Sequence, residues 1–483
     1  MDHTPHVIVL GAGASGLSLA WRLAANGVMV DILESSHIVG GLAGTIRQDG
    51  YSLDFGPHSF FSEDEQILST VLALFDSPLK PKPRTVKFYF RGNYLDYPLT
   101  PTNVLLQMGA WAGLRASMSF LYSKIAIQQA TVQEGEDETV EDWAINNFGR
   151  YLYESFFKPY TEQFWKVSCH ELSSRSIPSH TRMSFLNTLK VLLQQRLRKG
   201  DFSLIEREKL PTYYPPSGFG EITEKVAEHV EAAGGKIHLS SRATEVHNLP
   251  GERVRVTYEQ DGQSCGLDGT HVVSTIPLHL FVEMMRPEAT SDVLQSTEKL
   301  DYRAMVTLGL VTPRQDVLPC SYIYYLDRPY NRITEMNKFS PDTSPPGENL
   351  LLLEVCCLRD SAGWNASKEE LFDICEPSLA ADRIITVGDV TRLLILKAPY
   401  AYPIYRKDYA GHLERLLSEV RRRPGMATLG RTGEFMYMDS DKCMRRAFDF
   451  GDRLLEELGI VPDSQAEHLT DGTANEEGIT KRP

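Results

Sequence analysis

The sequence contains no apolar stretch long enough to span a bilayer as a helix. Its most apolar helical segment, residues 103–127, is broken by Arg115 and Lys124 before eighteen consecutive apolar residues accumulate. That segment reads instead as a buried helix. Cysteine is sparse: seven residues, odd in number and scattered, with no CxxC or Cys/His ligand spacing. This excludes a metal centre of zinc type and a disulfide framework, and it predicts a reducing compartment. No basic n-region and apolar h-region precede the first strand, so a cytoplasmic location is expected. Positive charge is also in short supply, 50 Lys and Arg against 64 Asp and Glu, for a net charge of −14. Such a balance repels polyphosphate at long range and excludes nucleic acid as a partner, while a local arginine cluster can still hold one small anion. No internal repeat is visible.

Aromatic residues, by contrast, are plentiful. With 21 Tyr, 20 Phe and 5 Trp in 483 residues, the chain can line a sizeable aromatic pocket, and its length suits two interleaved domains. The start is the most legible part. A β-branched run at 6–10, a helical stretch at 14–26 and a second strand at 28–33 form the opening βαβ unit of a parallel sheet. Between strand and helix stands Gly11-Ala12-Gly13-Ala14-Ser15-Gly16. Gly11 permits the tight turn, Gly13 lets the backbone approach a pyrophosphate, and Gly16 lets the helix pack on the strand. The unpaired N–H groups at Ala14 and Ser15 open the helix toward the phosphates. Glu34, followed by Ser35, ends the second strand at the spacing of a carboxylate that accepts hydrogen bonds from a ribose diol. Dinucleotide binding follows. A second glycine loop, Gly40-Gly41-Leu42-Ala43-Gly44, offers further amides to the same pyrophosphate, and NAD folds do not usually need one.

These two loops resemble those of the flavin-containing amine oxidase and protoporphyrinogen oxidase superfamily, in which E-x5-G-G follows the first fingerprint. Many relatives carry Arg where Leu42 stands. The resemblance implies non-covalent FAD, with the Val246 backbone meeting adenine. Further segments resemble UDP-galactopyranose mutases in the same order along the chain. Residues 56–62, GPHSFFS, are similar to a loop that brings His58 to the isoalloxazine. Residues 159–165, PYTEQFW, are similar to a segment whose Tyr160 and Trp165 line the uridine side. Tyr302-Arg303 matches a pair whose arginine holds the substrate pyrophosphate. Residues 329–335, PYNRITE, match one whose Tyr330 reaches the phosphates. Residues 430–441 match one in which Gly430 and Arg431 hold flavin while Tyr437 and Asp439 face substrate. A second substrate arginine of the mutases has no clean counterpart, with Arg175 and Arg182 both near.

The expected architecture is therefore α/β, a two-dinucleotide-binding-type, Rossmann-like FAD domain with an inserted mixed α+β substrate domain. The FAD domain is expected from residues 1–64, 205–288 and 391–461, the substrate domain from 65–204 and 289–390, and a disordered tail from 462–483. The resemblance implies a flavoenzyme acting at the anomeric carbon of a nucleotide sugar through flavin N5, without net redox, with NAD(P)H as candidate reductant. An oxidoreductase of protoporphyrinogen or amine oxidase type, passing hydride from a small molecule to flavin, is the alternative. A flavin-binding scaffold without turnover is the third reading, disfavoured by the joint presence of His58, Arg303, Tyr330, Arg431 and Tyr437.

Overall fold

A computed structural model describes residues 5–90, 92–96, 110–127, 138–177, 210–251 and 253–462. The expected tail beyond Pro462, the acidic loop at 134–137, the helical stretch expected at 178–204 and Arg182 lie outside these residues.

The strand His6–Leu10 is buried on both faces from Val7 onward, as the central strand of a parallel sheet must be. It pairs in parallel with His271–Ser274 on one side and Met29–Leu33 on the other, and Met426–Thr428 and Lys236–His238 complete a five-stranded parallel sheet. Helix Ala14–Ala25 begins at Gly13, whose backbone is extended, and stops before Gly27, where φ is +79°. It packs Trp21 against His229 of helix Glu221–Ala232, 5.1 Å between ring centroids, and against Phe448 of helix Ser440–Glu457, at 5.9 Å. Because all five strands run the same way, their C-terminal ends share one edge. That edge receives Gly11, Glu34, Thr275 and Leu429, the position where α/β sheets bind ligands.

A four-stranded sheet built on the hairpin Arg253–Gln260 and Gln263–Gly269 lies beside it. The larger second sheet has seven strands, in the order Arg392–Pro403, Tyr302–Thr312, Asn349–Leu358, Arg332–Glu335, Tyr322–Tyr325, Val86–Phe90, Asn93–Asp96. Tyr302–Thr312 is buried throughout because both of its faces are covered. Ala304, Val306, Leu308 and Leu310 join the core that includes Leu371, Phe372 and Cys375 of helix Lys368–Ala381. The alternate positions, Arg303 and Met305 among them, face the other way, where Met305 packs with Leu42 and Phe55. Strand Arg392–Pro403, which the sequence reading grouped with the FAD-binding segments, hydrogen-bonds to Tyr302–Thr312 as an edge of this sheet.

Helix Ala110–Ile127 departs from the expectation of burial. Ala116 and Phe120 pack into the core with Trp143 and Ala144, whereas Trp111, Leu114, Met118, Leu121 and Tyr122 are exposed among the described residues. Apolar residues on both sides of one helix gave the sequence no means of telling the packed face from the open one. No described helix is long and apolar enough to cross a membrane.

The hairpin Thr45–Gln48 and Tyr51–Asp54 ties the second glycine loop to the turn before helix Glu221–Ala232. Fully buried Asp54 accepts from Thr45 Oγ1 at 2.5 Å, Tyr214 Oη at 2.7 Å and the Phe219 amide at 3.3 Å. Burial outweighs these donors and pushes its pKa up to about 6. A raised folded pKa means that the folded state holds this proton more tightly than the unfolded chain. The contribution to stability is therefore complete below about pH 4 and is lost as pH rises through about 6, on the order of 3 kcal/mol in all. Asp54→Asn is expected to remove that slope. Melting temperatures of the two proteins at pH 5 and pH 7 check it, and an equal pH dependence would show that Asp54 titrates normally.

Candidate functional site

Two glycine loops meet at the C-terminal edge of the parallel sheet. The Gly40 amide donates to the Ala12 carbonyl at 2.8 Å, and Gly13 and Gly40 form an isolated parallel bridge. Gly40 (φ +107°) and Gly41 (φ +53°) take left-handed backbone. Gly16 has no room for a side chain, because a Cβ there would run into the Gly11 carbonyl. Gly13 differs: a Cβ would come no closer than 4.0 Å to any protein atom, the Gly40 carbonyl oxygen. The protein's own packing therefore does not require glycine at this position, whereas a close ligand would. Glu34, 9% exposed, accepts from the Ala12 amide at 2.8 Å and the Ser36 amide at 2.7 Å, and Ser35 Oγ stands 3.4 Å from the same carboxylate. Gly430 lies so close to Ser15 that a Cβ would sit 2.5 Å from its hydroxyl, which brings the segment 430–441 onto the start of helix Ala14–Ala25. Leu42 packs with Phe55, Met305, Ala398 and Ala401. Val246 is fully buried and flanked by Val256 and Met285. Along the backbone the Glu34 amide donates to the His238 carbonyl, and the Ser241 and Ser240 amides donate to the Glu34 and Ser36 carbonyls.

Between this edge and the second sheet stands a cluster of aromatic rings and guanidinium groups that would wall a substrate cleft. Its centre is Tyr402, at the end of strand Arg392–Pro403, paired across the ladder with Arg303. The Arg303 guanidinium rests 4.0 Å from the Phe164 ring and 4.0 Å from the Tyr402 ring, donates to the Phe164 carbonyl at 3.1 Å and is 1% exposed. Its buried Nε has no partner. Arg431 lies 4.2 Å from the same Tyr402 ring and 4.8 Å from that of Tyr437, and its Nε is likewise buried and unpartnered. Tyr402 and Tyr437 stack at 5.7 Å, and the Tyr437 hydroxyl reaches Asp439, the residue before helix Ser440–Glu457, at 3.5 Å.

The floor carries a buried ion pair. Arg332 grips Glu354 with two hydrogen bonds, 2.6 and 2.7 Å, and donates to the Tyr324 hydroxyl at 3.0 Å. The Gly56 backbone runs against this pair, with a Cβ there placed 3.2 Å from the Arg332 guanidinium. Two residues on, His58 sits in contact with Phe219, 5.0 Å between ring centroids, and its Nδ1 is buried without a partner. Burial, with the Arg332 and Arg431 charges, pulls its pKa down to about 3, so the ring is neutral. Tyr160 joins the wall beside Phe88, whose ring stacks on Tyr324 at 4.8 Å.

Two of the expected site residues lie mainly in the core. Tyr330 is fully buried against Tyr325 in the core under helix Lys368–Ala381, on the face of the sheet opposite Arg303. The turn before Arg332–Glu335 carries it there, and Arg332 occupies the cleft face instead. Trp165 packs into the helical core with Trp143, Phe148 and Leu172, and meets the rings of Phe164 and Tyr402 edge-on, at 5.2 and 6.4 Å between centroids. Its neighbour Phe164 supplies the open aromatic face. Arg175 is exposed on a short turn. The sequence reading did not single out Tyr402, Phe164 or Glu354. Only the tyrosine-rich PYAYP run at 399–403 offered a signal.

The fold and these loops define a dinucleotide-binding flavoprotein of Rossmann type. The chain belongs to the flavin-containing amine oxidoreductase family, whose profile matches residues 14–396. It is an FAD-dependent enzyme. The probable UDP-galactopyranose mutase of Klebsiella pneumoniae is 24% identical over 94% of this chain and 95% of its own. The chloroplastic protoporphyrinogen oxidase of Nicotiana tabacum is 22% identical over 60% of this chain and 54% of its own. The crystal structure of a reduced UDP-galactopyranose mutase superposes with a TM-score of 0.77 at 18% identity, covering 97% of this chain and 96% of the other.

The residues present fit FAD: a glycine cradle with space at Gly13, the Glu34 carboxylate beside it, and buried nitrogens on Arg431 and His58 that no protein group satisfies. Gly13→Ala is expected to leave the fold intact and cut retained flavin several-fold, read as flavin absorbance per protein alongside far-ultraviolet circular dichroism. Gly16→Ala should damage both. Full flavin retention in the Gly13 variant would remove that loop from the cofactor site.

Proposed function

We propose that this enzyme acts on a nucleotide sugar, with redox-neutral chemistry at the anomeric carbon beside the flavin. The observation that carries this reading is Arg303. A guanidinium at 1% exposure is costly unless its charge is answered. Among the described residues Arg303 has no carboxylate partner, only two rings and one carbonyl. A diphosphate would answer it, with charge-assisted bonds of roughly 1.5–3 kcal/mol each. Bound FAD would be held at its adenosine diphosphate half by Gly11, Gly13, Gly40, Gly41 and Glu34, and at its ring by Arg431 and His58. FAD supplies the reactive nitrogen of the flavin ring. The chain anchors the distant phosphates, so that binding energy away from the reacting carbon orients it. Phe164 and Tyr160 offer flat faces to the base, while Tyr437 and Asp439 line the sugar end. Neutral His58 contributes a hydrogen-bonding nitrogen without adding charge. A reductant such as NAD(P)H would keep the flavin reduced.

A second reading, hydride transfer from an apolar small molecule, is favoured by the contact of Leu42, Phe55, Met305 and Ala398 at the cofactor edge. UDP separates the two. Reduced wild-type protein should bind UDP saturably, and Arg303→Ala should weaken it about ten- to a hundredfold with the flavin spectrum unchanged. Isothermal titration measures it, and absence of UDP binding to the wild type would favour the oxidoreductase.

A further inference from the structure

His58 is carried by a turn, and the turn rests on an ion pair. Gly56, at φ +144°, takes backbone that favours glycine. A Cβ there would stand 3.2 Å from the Arg332 guanidinium and 3.3 Å from the Glu354 carboxylate, so the main chain lies against both members of the pair. The His58 amide donates back to the Gly56 carbonyl at 2.8 Å, which closes the chain over Pro57 and fixes the direction in which the ring leaves it. Beneath the turn, Arg332 and Glu354 face each other across the ladder between strands Arg332–Glu335 and Asn349–Leu358. The guanidinium also lies over the rings of Tyr322 and Tyr324, at 5.5 and 5.2 Å. Next to it the Asn331 amide donates to the Glu354 carbonyl at 2.8 Å, and Asn331 Oδ1 accepts from the Cys356 amide at 3.2 Å. Stability alone does not call for such a pair, since apolar residues of the same size often serve as well. Its place does. It stands under the one segment that brings a buried ring nitrogen, His58 Nδ1, with no partner among the described residues.

We propose that Arg332 and Glu354 are the positioning residues of His58, a rigid shelf that holds residues 56–58 so that the free ring nitrogen is offered to the flavin. This rests on His58 lying at the flavin ring, as proposed above, and on nothing about the substrate. The forked guanidinium, bonded to both carboxylate oxygens and to Tyr324, has no freedom to turn, and the glycine backbone above it takes its place from that fixed surface.

The test measures the two-electron reduction potential of bound FAD, with flavin content and melting temperature recorded alongside. The proteins are wild type, Gly56→Ala, His58→Phe, the double variant Arg332→Gln/Glu354→Gln, and that double variant combined with His58→Phe. Gly56→Ala keeps both charges and moves only the turn, whereas the double variant removes the shelf while leaving the summed charge of the pair at zero. His58→Phe is expected to change the balance of oxidised and reduced flavin about tenfold, about 30 mV for a two-electron couple. Gly56→Ala and the double variant should each shift the potential in the same direction, and the double variant should add nothing once His58 is gone. A shift from the double variant that persists undiminished without His58 would mean that the two charges act on the flavin directly. Lost flavin, or a lower melting temperature with an unmoved potential, would make the pair a support of the fold alone. Either result overturns the proposal. If His58→Phe itself leaves the potential unchanged, the placement of His58 at the ring falls, and this inference with it.

Discussion

One aromatic ring joins the two halves of the site. Tyr402 carries the Arg303 guanidinium at 4.0 Å and the Arg431 guanidinium at 4.2 Å, while its strand pairs with Arg303 across the ladder. Guanidinium–aromatic contacts of this kind are worth about 0.5–2 kcal/mol each and strengthen as water is excluded. They also fix direction. With Tyr402 in place, one arginine is offered to the cofactor edge and the other to the cleft. Tyr437 stacks on the same ring and brings Asp439 to the start of a long helix. Without it, two buried cations would lose a shared wall, and Arg303 would keep only Phe164 and one carbonyl.

The cleft is basic inside an acidic protein. The net charge governs what approaches from a distance, and it turns away long polyanions. Within a few ångströms, the unpaired nitrogens of Arg303 and Arg431 decide what is held. A chain of this balance can therefore select a small anionic ligand against a large one. The Arg332–Glu354 pair is satisfied internally and bonded to Tyr324, and burial, with the Arg332 and Arg431 charges added, keeps His58 neutral.

What was legible in the sequence was local. The βαβ unit, the two glycine loops and Glu34 lie within 44 residues, where spacing alone places side chains at one sheet edge. The cleft was not legible in the same way, because it is made of strand faces. Along Arg332–Glu335 a step of one residue moves a side chain from cleft to core, and the preceding turn places Tyr330 in the core against Tyr325. Trp165 and Phe164 show the same thing on a helix: adjacent residues, one in the core and one in the cleft. Tyr402 sits far along the chain from the motifs, at a point where the register between strands shifts. No spacing rule reaches across such a bulge.

The proposed function requires the cleft to hold a nucleotide sugar beside reduced flavin without consuming electrons. The most direct measurement is anaerobic incubation of dithionite-reduced protein with UDP-galactopyranose, with the sugar ring form resolved by chromatography and the flavin absorbance followed throughout. The account predicts conversion to the furanose at constant flavin reduction. A sugar recovered wholly as pyranose from protein that remains reduced and folded would contradict it.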